Sequence, residues 1–167
     1  MQGEYEMSFF NKSNKEINNK HFTTCGIVVI DDRILFVRHT YGTAKDRILL
    51  PGGYVKENEL PTKAAEREIF EETGVVCSAR DLFSVQFKTE QWCAVFTMDY
   101  ISGDPKSDGY ENSEVLLLSV EEALVRNDLT NMSREIIKAY KENKNGLKKS
   151  HYIAKSCTEN DYAIFGV

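Results

Sequence analysis

The sequence predicts an α/β protein, a central mixed β-sheet sandwiched between helices, and three observations point there. Short apolar, β-branched runs separated by turn signals begin at Thr23. Two stretches, 60–73 and 133–144, carry helical signals. Strands and helices are mixed without strict alternation, which suggests a sheet with helices on both faces rather than a regular βαβ repeat.

The elements follow in chain order. Residues 1–20 are polar and asparagine-rich and are expected to be a flexible lead-in, with a short strand around Met7 to Phe10. Cys25 to Ile30 is a strand stopped by the turn signal Asp31-Asp32, and Ile34 to Val37 returns as its hairpin partner. Ile48 to Leu50 runs into the break Pro51-Gly52-Gly53, with Tyr54 and Val55 as a short extended piece. The 60–73 helix has Pro61 in its first turn, where a missing N–H costs little, and Gly74 as its stop. Val75 to Cys77, Leu82 to Lys88 and Cys93 to Ile101 are strands, and 102–113, with Gly, Pro, Asp and Asn, is a loop. Val115 to Leu118 is a strand, and Val120 to Val125 a short helix capped by Ser119. Ser133 to Lys144 carries Ile136, Ile137 and Tyr140 at helical spacing, predicting an amphipathic helix. The segments are thus 1–20, a domain over 21–145, and a 146–167 extension that is either a tail or a strand pairing elsewhere.

Composition narrows the function. The chain has 167 residues, enough for one domain, with 41% hydrophobic and 28% charged residues. No apolar run approaches the roughly 20 residues of a membrane span, and no secretory leader is recognisable, so a cytoplasmic protein without membrane attachment is expected. A net charge of −5 argues against broad binding to nucleic acid, which needs a basic face. Cys25, Cys77, Cys93 and Cys157 are scattered and form no ligand spacing with His21, His39 and His151. Reduced thiols without zinc are expected.

The chemistry centres on Glu68, Glu71 and Glu72, at i, i+3 and i+4 on one helical face. Like charges at this spacing each cost about 0.2–0.5 kcal/mol on an exposed helix, a penalty that a hard divalent cation would reverse. In isolation the same run describes a solvated acidic face, with Arg67 pairing to Glu71 four residues on. The surroundings decide. From Gly53, five residues lead to Glu59, and seven more to Arg67-Glu68-Ile69-Phe70-Glu71-Glu72-Thr73-Gly74-Val75. This resembles the signature of the Nudix hydrolase family (MutT-like) at every fixed position, and the strand pattern is similar from about Thr23 to Lys144.

The resemblance implies the α/β/α sandwich of that family and a metal-dependent hydrolase that cleaves a phosphoanhydride bond. Its substrate would be a small nucleotide: a nucleoside triphosphate, a nucleotide sugar or a related diphosphate. The alternative it allows is an inactive module that senses a nucleotide or ADP-ribose. It makes Glu68, Glu71 and Glu72 ligands of Mg²⁺ or Mn²⁺, with the Gly52 carbonyl as a further ligand and Gly52 and Gly53 allowing close backbone approach. Glu59 and Arg67 would pin the loop to the helix, and Gly74 would end it. The general base is either Glu68 or a later acid, Glu111 ahead of Glu114, with Glu114 also a candidate ligand and Glu90 a weaker third. Arg38, and less directly Lys45 and Arg47, are expected to contact substrate phosphate. Tyr41, Phe87 and Trp92 are expected in the core, with stacking on a base as the alternative. Substrate markers are mostly missing: Gln91 stands where ADP-ribose pyrophosphatases of the family carry proline, and Trp92 near where dinucleoside polyphosphate hydrolases carry tyrosine. The 146–167 extension is expected to pack on its own domain or on a second copy, making a homodimer a candidate assembly.

Overall fold

A computed structural model describes residues 22–155 and 157–166; the lead-in, with the strand expected around Met7 to Phe10, lies outside the described residues. The strands are β1 (Phe22–Ile30), β2 (Arg33–His39), β3 (Ile48–Leu49), β4 (Gly52–Tyr54), β5 (Val76–Phe87), β6 (Trp92–Ser102), β7 (Asn112–Leu118) and β8 (Leu147–Lys148). The helices are α1 (Pro61–Thr73), α2 (Val120–Leu124) and α3 (Asn131–Glu142). One path of the sheet runs β3-β2-β1-β6-β5-β8, with β4 added against β1 and β7 against β2. The β1–β6 pair is parallel and the other strand pairs are antiparallel, so the sheet is mixed.

The apolar runs are continuous because both faces of the sheet are covered. Successive side chains of a strand point to opposite faces. On one face Cys25 and Ile27 of β1, Ile34 and Phe36 of β2 and Val95 of β6 pack with Ala123, Ile136, Ile137 and Tyr140 of α2 and α3. On the other, the intervening Val28, Leu35, Ala94 and Phe96 pack with Ala65 and Ile69 of α1. This is the predicted sandwich.

Local signals explain the joints. Asp31 and Asp32 take φ values of 48° and 61°, the left-handed pair of a tight hairpin turn whose twist suits its flanking strands. α1 starts with Pro61 in its first turn and ends at Gly74 (φ 70°), whose N–H returns to the Phe70 carbonyl. Ser119 caps α2 in a reciprocal box with Glu122.

Four expectations need correction. The two strands expected between Val75 and Lys88 are one bent strand, β5, with register shifts against β6. β7 begins at Asn112 instead of Val115, so Glu114 lies within a strand and not in a loop. α3 lies two residues earlier at each end than the expected helix. Tyr41, Phe87 and Trp92 are not core residues: each is more than half exposed, and Phe87 and Trp92 meet edge-on near the β5–β6 turn. The extension packs on its own domain. β8 extends the sheet beside β5, Lys149 bridges to Phe165, and the Phe165 ring lies 5.8 Å from that of Phe96. Among the described residues, no helix is long and apolar enough to cross a membrane.

Candidate active site

The glutamates of α1 meet three different surroundings. Glu72 faces inward and is 2% exposed; its Oε2 accepts the Gly52 N–H at 2.9 Å, and its Oε1 lies 3.4 Å from His39 Nε2. Glu68 is half-buried beside β4, so close that a Cβ on Gly53 would sit 2.5 Å from its carboxyl carbon. At Gly52 an added Cβ would run into the β1 backbone at Thr24 and Cys25. The glycine pair is therefore what lets β4 pass between β1 and the acidic helix. Glu71 is half exposed.

Arg67 organises this group. Its Nε and Nη2 donate to the two oxygens of Glu59 at 2.8 and 2.9 Å, and Nη2 also reaches the Tyr54 carbonyl. Glu59 in turn accepts the Lys56 N–H, which ties the loop before α1 to the helix. Nη1 lies between two carboxylates, donating to Glu68 Oε1 at 2.6 Å and Glu71 Oε2 at 2.9 Å. The Arg67 guanidinium holds the Glu59 carboxyl below its ordinary range, against the opposing effect of burial. Glu68 is pushed up by burial, which outweighs Arg67, and Glu72 is pushed up by burial despite His39 and the Gly52 N–H.

A cavity of about 470 Å³ opens beside these residues, within the range of small-ligand sites. Glu68, Gly53, His39, Tyr41, Tyr54 and Glu111 are among the residues that line it, together with the apolar Leu50, Met132 and Ile136. Glu111 is set there by local structure. The Asp108 carboxylate accepts the N–H groups of Tyr110, Glu111 and Asn112, and Thr40 Oγ1 donates to the Glu111 carbonyl at 3.0 Å. Burial would raise the Asp108 pKa, but those N–H groups together hold it below the usual aspartate value. The Tyr41 hydroxyl is pushed up by burial and then by the negative charges of Glu111, Glu72 and Glu68, so the tyrosine overlooks the same acidic surface.

The remaining predicted residues lie elsewhere. The Arg38 guanidinium is held by Glu114 (2.8 Å), Asp128 (2.9 Å) and the Asp46 carbonyl, and Glu114 is its ladder partner across β2–β7. Arg47 donates to the Leu129 carbonyl. Lys45 is exposed and follows the turn Gly42–Ala44, whose residues line the cavity although Lys45 does not. No lysine or arginine among the described residues lines that cavity. Sequence reading did not place Tyr54, Asp108 or His39 at the site. The Asp108-Gly109 pair was a visible turn signal; the other two become visible only when β2 and β4 are set beside α1.

Among the described residues, no three His, Cys, Asp or Glu side chains are gathered closely enough to hold a metal ion as they stand. Arg67 instead supplies the positive charge that Glu68 and Glu71 require, and a metal would compete with it. The chemistry nonetheless fits. Carboxylate and carbonyl oxygens are hard donors suited to Mg²⁺ or Mn²⁺. Glu72 is a buried acid whose Oε1 faces an imidazole nitrogen that itself has no hydrogen-bond partner. A buried charge so incompletely compensated is stabilised by a cation.

Comparison with known proteins bears on this geometry. The sequence model of the NUDIX domain matches residues 20–140. An ADP-ribose pyrophosphatase of Methanocaldococcus jannaschii is 30% identical over 134 residues, covering 72% of this chain and 73% of that protein. Among solved structures, a NUDIX hydrolase from Nitrosomonas europaea superposes with a TM-score of 0.69 at 23% identity, covering 75% of this chain and 72% of that one. A MutT NUDIX hydrolase from Burkholderia pseudomallei gives 0.64 at 21%, covering 71% and 96%.

Proposed function

The chain belongs to the NUDIX family of pyrophosphohydrolases, and from that membership we propose that it cleaves the phosphoanhydride of a nucleoside diphosphate whose second phosphate carries a neutral group, such as a sugar. The observation that carries this reading is the charge of the cavity wall: the carboxylates of Glu68 and Glu111 and no lysine or arginine among the described lining residues. A diphosphate diester brings two negative charges, which a divalent cation offsets. A nucleoside triphosphate brings further charge with no basic side chain on that wall to meet it. The similarity to an ADP-ribose pyrophosphatase points the same way.

Glu68, Glu71 and Glu72, with the Gly52 carbonyl, would hold Mg²⁺ or Mn²⁺. When bound, such an ion neutralises the anhydride oxygens and acidifies water. The chain's own residues do the rest. Glu111, held on the cavity wall by Asp108 and Thr40, accepts the proton of the attacking water. Arg67 and Glu59 keep the loop docked on α1, so that Gly53 stays against Glu68. Tyr41 and Tyr54, both on the wall and half exposed, offer faces on which a base can stack.

The test is hydrolysis of ADP-ribose, a UDP-sugar and a nucleoside triphosphate with and without Mg²⁺ or Mn²⁺, with product analysis to locate the broken bond. Metal-dependent release of nucleoside monophosphate and sugar phosphate is expected. Preference for the triphosphate would reject the substrate class, and tight binding without turnover would favour a sensing module.

A further inference from the structure

His39 closes β2, and the ladder between β2 and β7 shifts register between Arg38 and His39. Irregularities of this kind re-aim a side chain and recur beside active sites. Here the imidazole lies on the cavity wall, stacked on Tyr41 with ring centroids 5.3 Å apart and planes 15° from parallel. Its Nε2 is buried, without a hydrogen-bond partner, and lies 3.4 Å from Glu72 Oε1. That separation is a few tenths of an ångström beyond an ordinary N–H···O bond. The other carboxylate oxygen is already fixed by the Gly52 N–H at 2.9 Å. Glu72 is thus gripped from β4 on one oxygen and approached from β2 on the other.

We propose that His39 is a positioning residue of the metal centre: its Nε2–H orients the buried Glu72 carboxylate for cation binding, and the Tyr41 ring holds the imidazole at the required angle. This rests on Glu72 being a metal ligand. Leaving a buried imidazole nitrogen unpaired is costly, and a small carboxylate movement that closes the contact removes that cost. Partners of ligating groups fix ligand orientation, and their loss typically weakens metal binding about 10- to 100-fold. His39 does not touch the substrate's reacting atoms in this assignment; it acts through Glu72.

The test is Mn²⁺ binding to the metal-stripped full-length chain, followed by the EPR signal of free Mn²⁺ with no nucleotide present. His39→Phe keeps the ring stacked on Tyr41 and removes the N–H; it is expected to weaken Mn²⁺ binding about 10- to 100-fold. His39→Gln, whose amide reaches toward the same oxygen, is expected to recover most of the loss. Thermal melts in EDTA check that both variants are folded; if the Phe variant is not, the Gln variant carries the test, and loss of binding in it overturns the proposal. Unchanged binding in His39→Phe overturns the proposal, as does equal loss in both variants, which would make the imidazole itself a ligand. Absence of Mn²⁺ uptake by the wild type would instead reject the metal centre, so the two failures are distinguishable.

Discussion

Arg67 divides its guanidinium among three glutamates, through Nε and Nη2 on Glu59 and through Nη1 on Glu68 and Glu71. Lysine cannot make that fork, so Arg67→Lys should loosen the loop–helix junction and lower kcat/KM, which steady-state kinetics will show. The glycine pair separates site geometry from stability. Gly53→Ala pushes against the carboxyl end of the Glu68 side chain, whereas Gly52→Ala pushes against backbone. Gly53→Ala should therefore lower kcat with little change in melting temperature, and Gly52→Ala should lower the melting temperature first. Equal melting losses in both would contradict this. The residue types of the site were legible in the sequence, because the spacing Gly53, Glu59, Arg67, Glu68, Glu71, Glu72 is local. That Glu72 is the buried member was not legible: which part of a helix stripe faces inward depends on where β1 and β4 pack. The basic residues expected to meet phosphate do not line the cavity, for a related reason. Arg38 finds Glu114 through a strand pairing hidden by starting that strand at Val115, after a loop over 102–113.

Each element is built from a few decisive contacts. α2 is five residues long and cannot persist on helix propensity, so its Ser119–Glu122 box matters. Ser119→Ala should cost about 1 kcal/mol in a denaturant titration without changing kcat, since α2 lies away from the acidic face. The turn that presents Glu111 is equally dependent on one side chain. Asp108→Ala removes the acceptor of three backbone N–H groups and should lower kcat through Glu111, while Asp108→Asn, which keeps an acceptor oxygen, should lose less. Strand identity was legible from apolar runs, but strand ends were not. β5 reads as two strands because its bends interrupt the pattern, and Phe87 and Trp92 read as core because propensity does not reveal that a hairpin tip projects beyond the helices.

Across the whole molecule, the sandwich was predictable because two helical stripes and doubly apolar strands admit few other arrangements. The extension from Gly146 was not, since its anchors are long-range. Lys148 Nζ reaches the buried Asp81 carboxylate at 2.8 Å, which Arg80 also contacts. Truncation after Asn145 should destabilise the fold by about 1–3 kcal/mol or more, the cost of leaving the buried Asp81 oxygen short of a donor partner, as read from urea unfolding. Acid stability follows from the cluster joining β2 to the α2–α3 loop. Arg126 and then Arg38 hold Asp128 below its ordinary value of 3.8, against burial. A carboxylate depressed in the fold contributes stability that is present above its unfolded pKa and lost as pH falls through the lower folded value. Melting temperature should therefore fall on that acid limb, and less steeply in Asp128→Asn. The claim on which the account turns is that the α1 carboxylates work with a divalent cation on a diphosphate diester. The most direct measurement is ADP-ribose hydrolysis to AMP and ribose 5-phosphate by wild type and Glu68→Gln, across Mg²⁺ concentrations. The account predicts turnover that requires Mg²⁺, falls in the variant and needs more Mg²⁺ there to reach its maximum, because a ligand has been neutralised; turnover in excess EDTA, or equal rates in the two proteins, would contradict it.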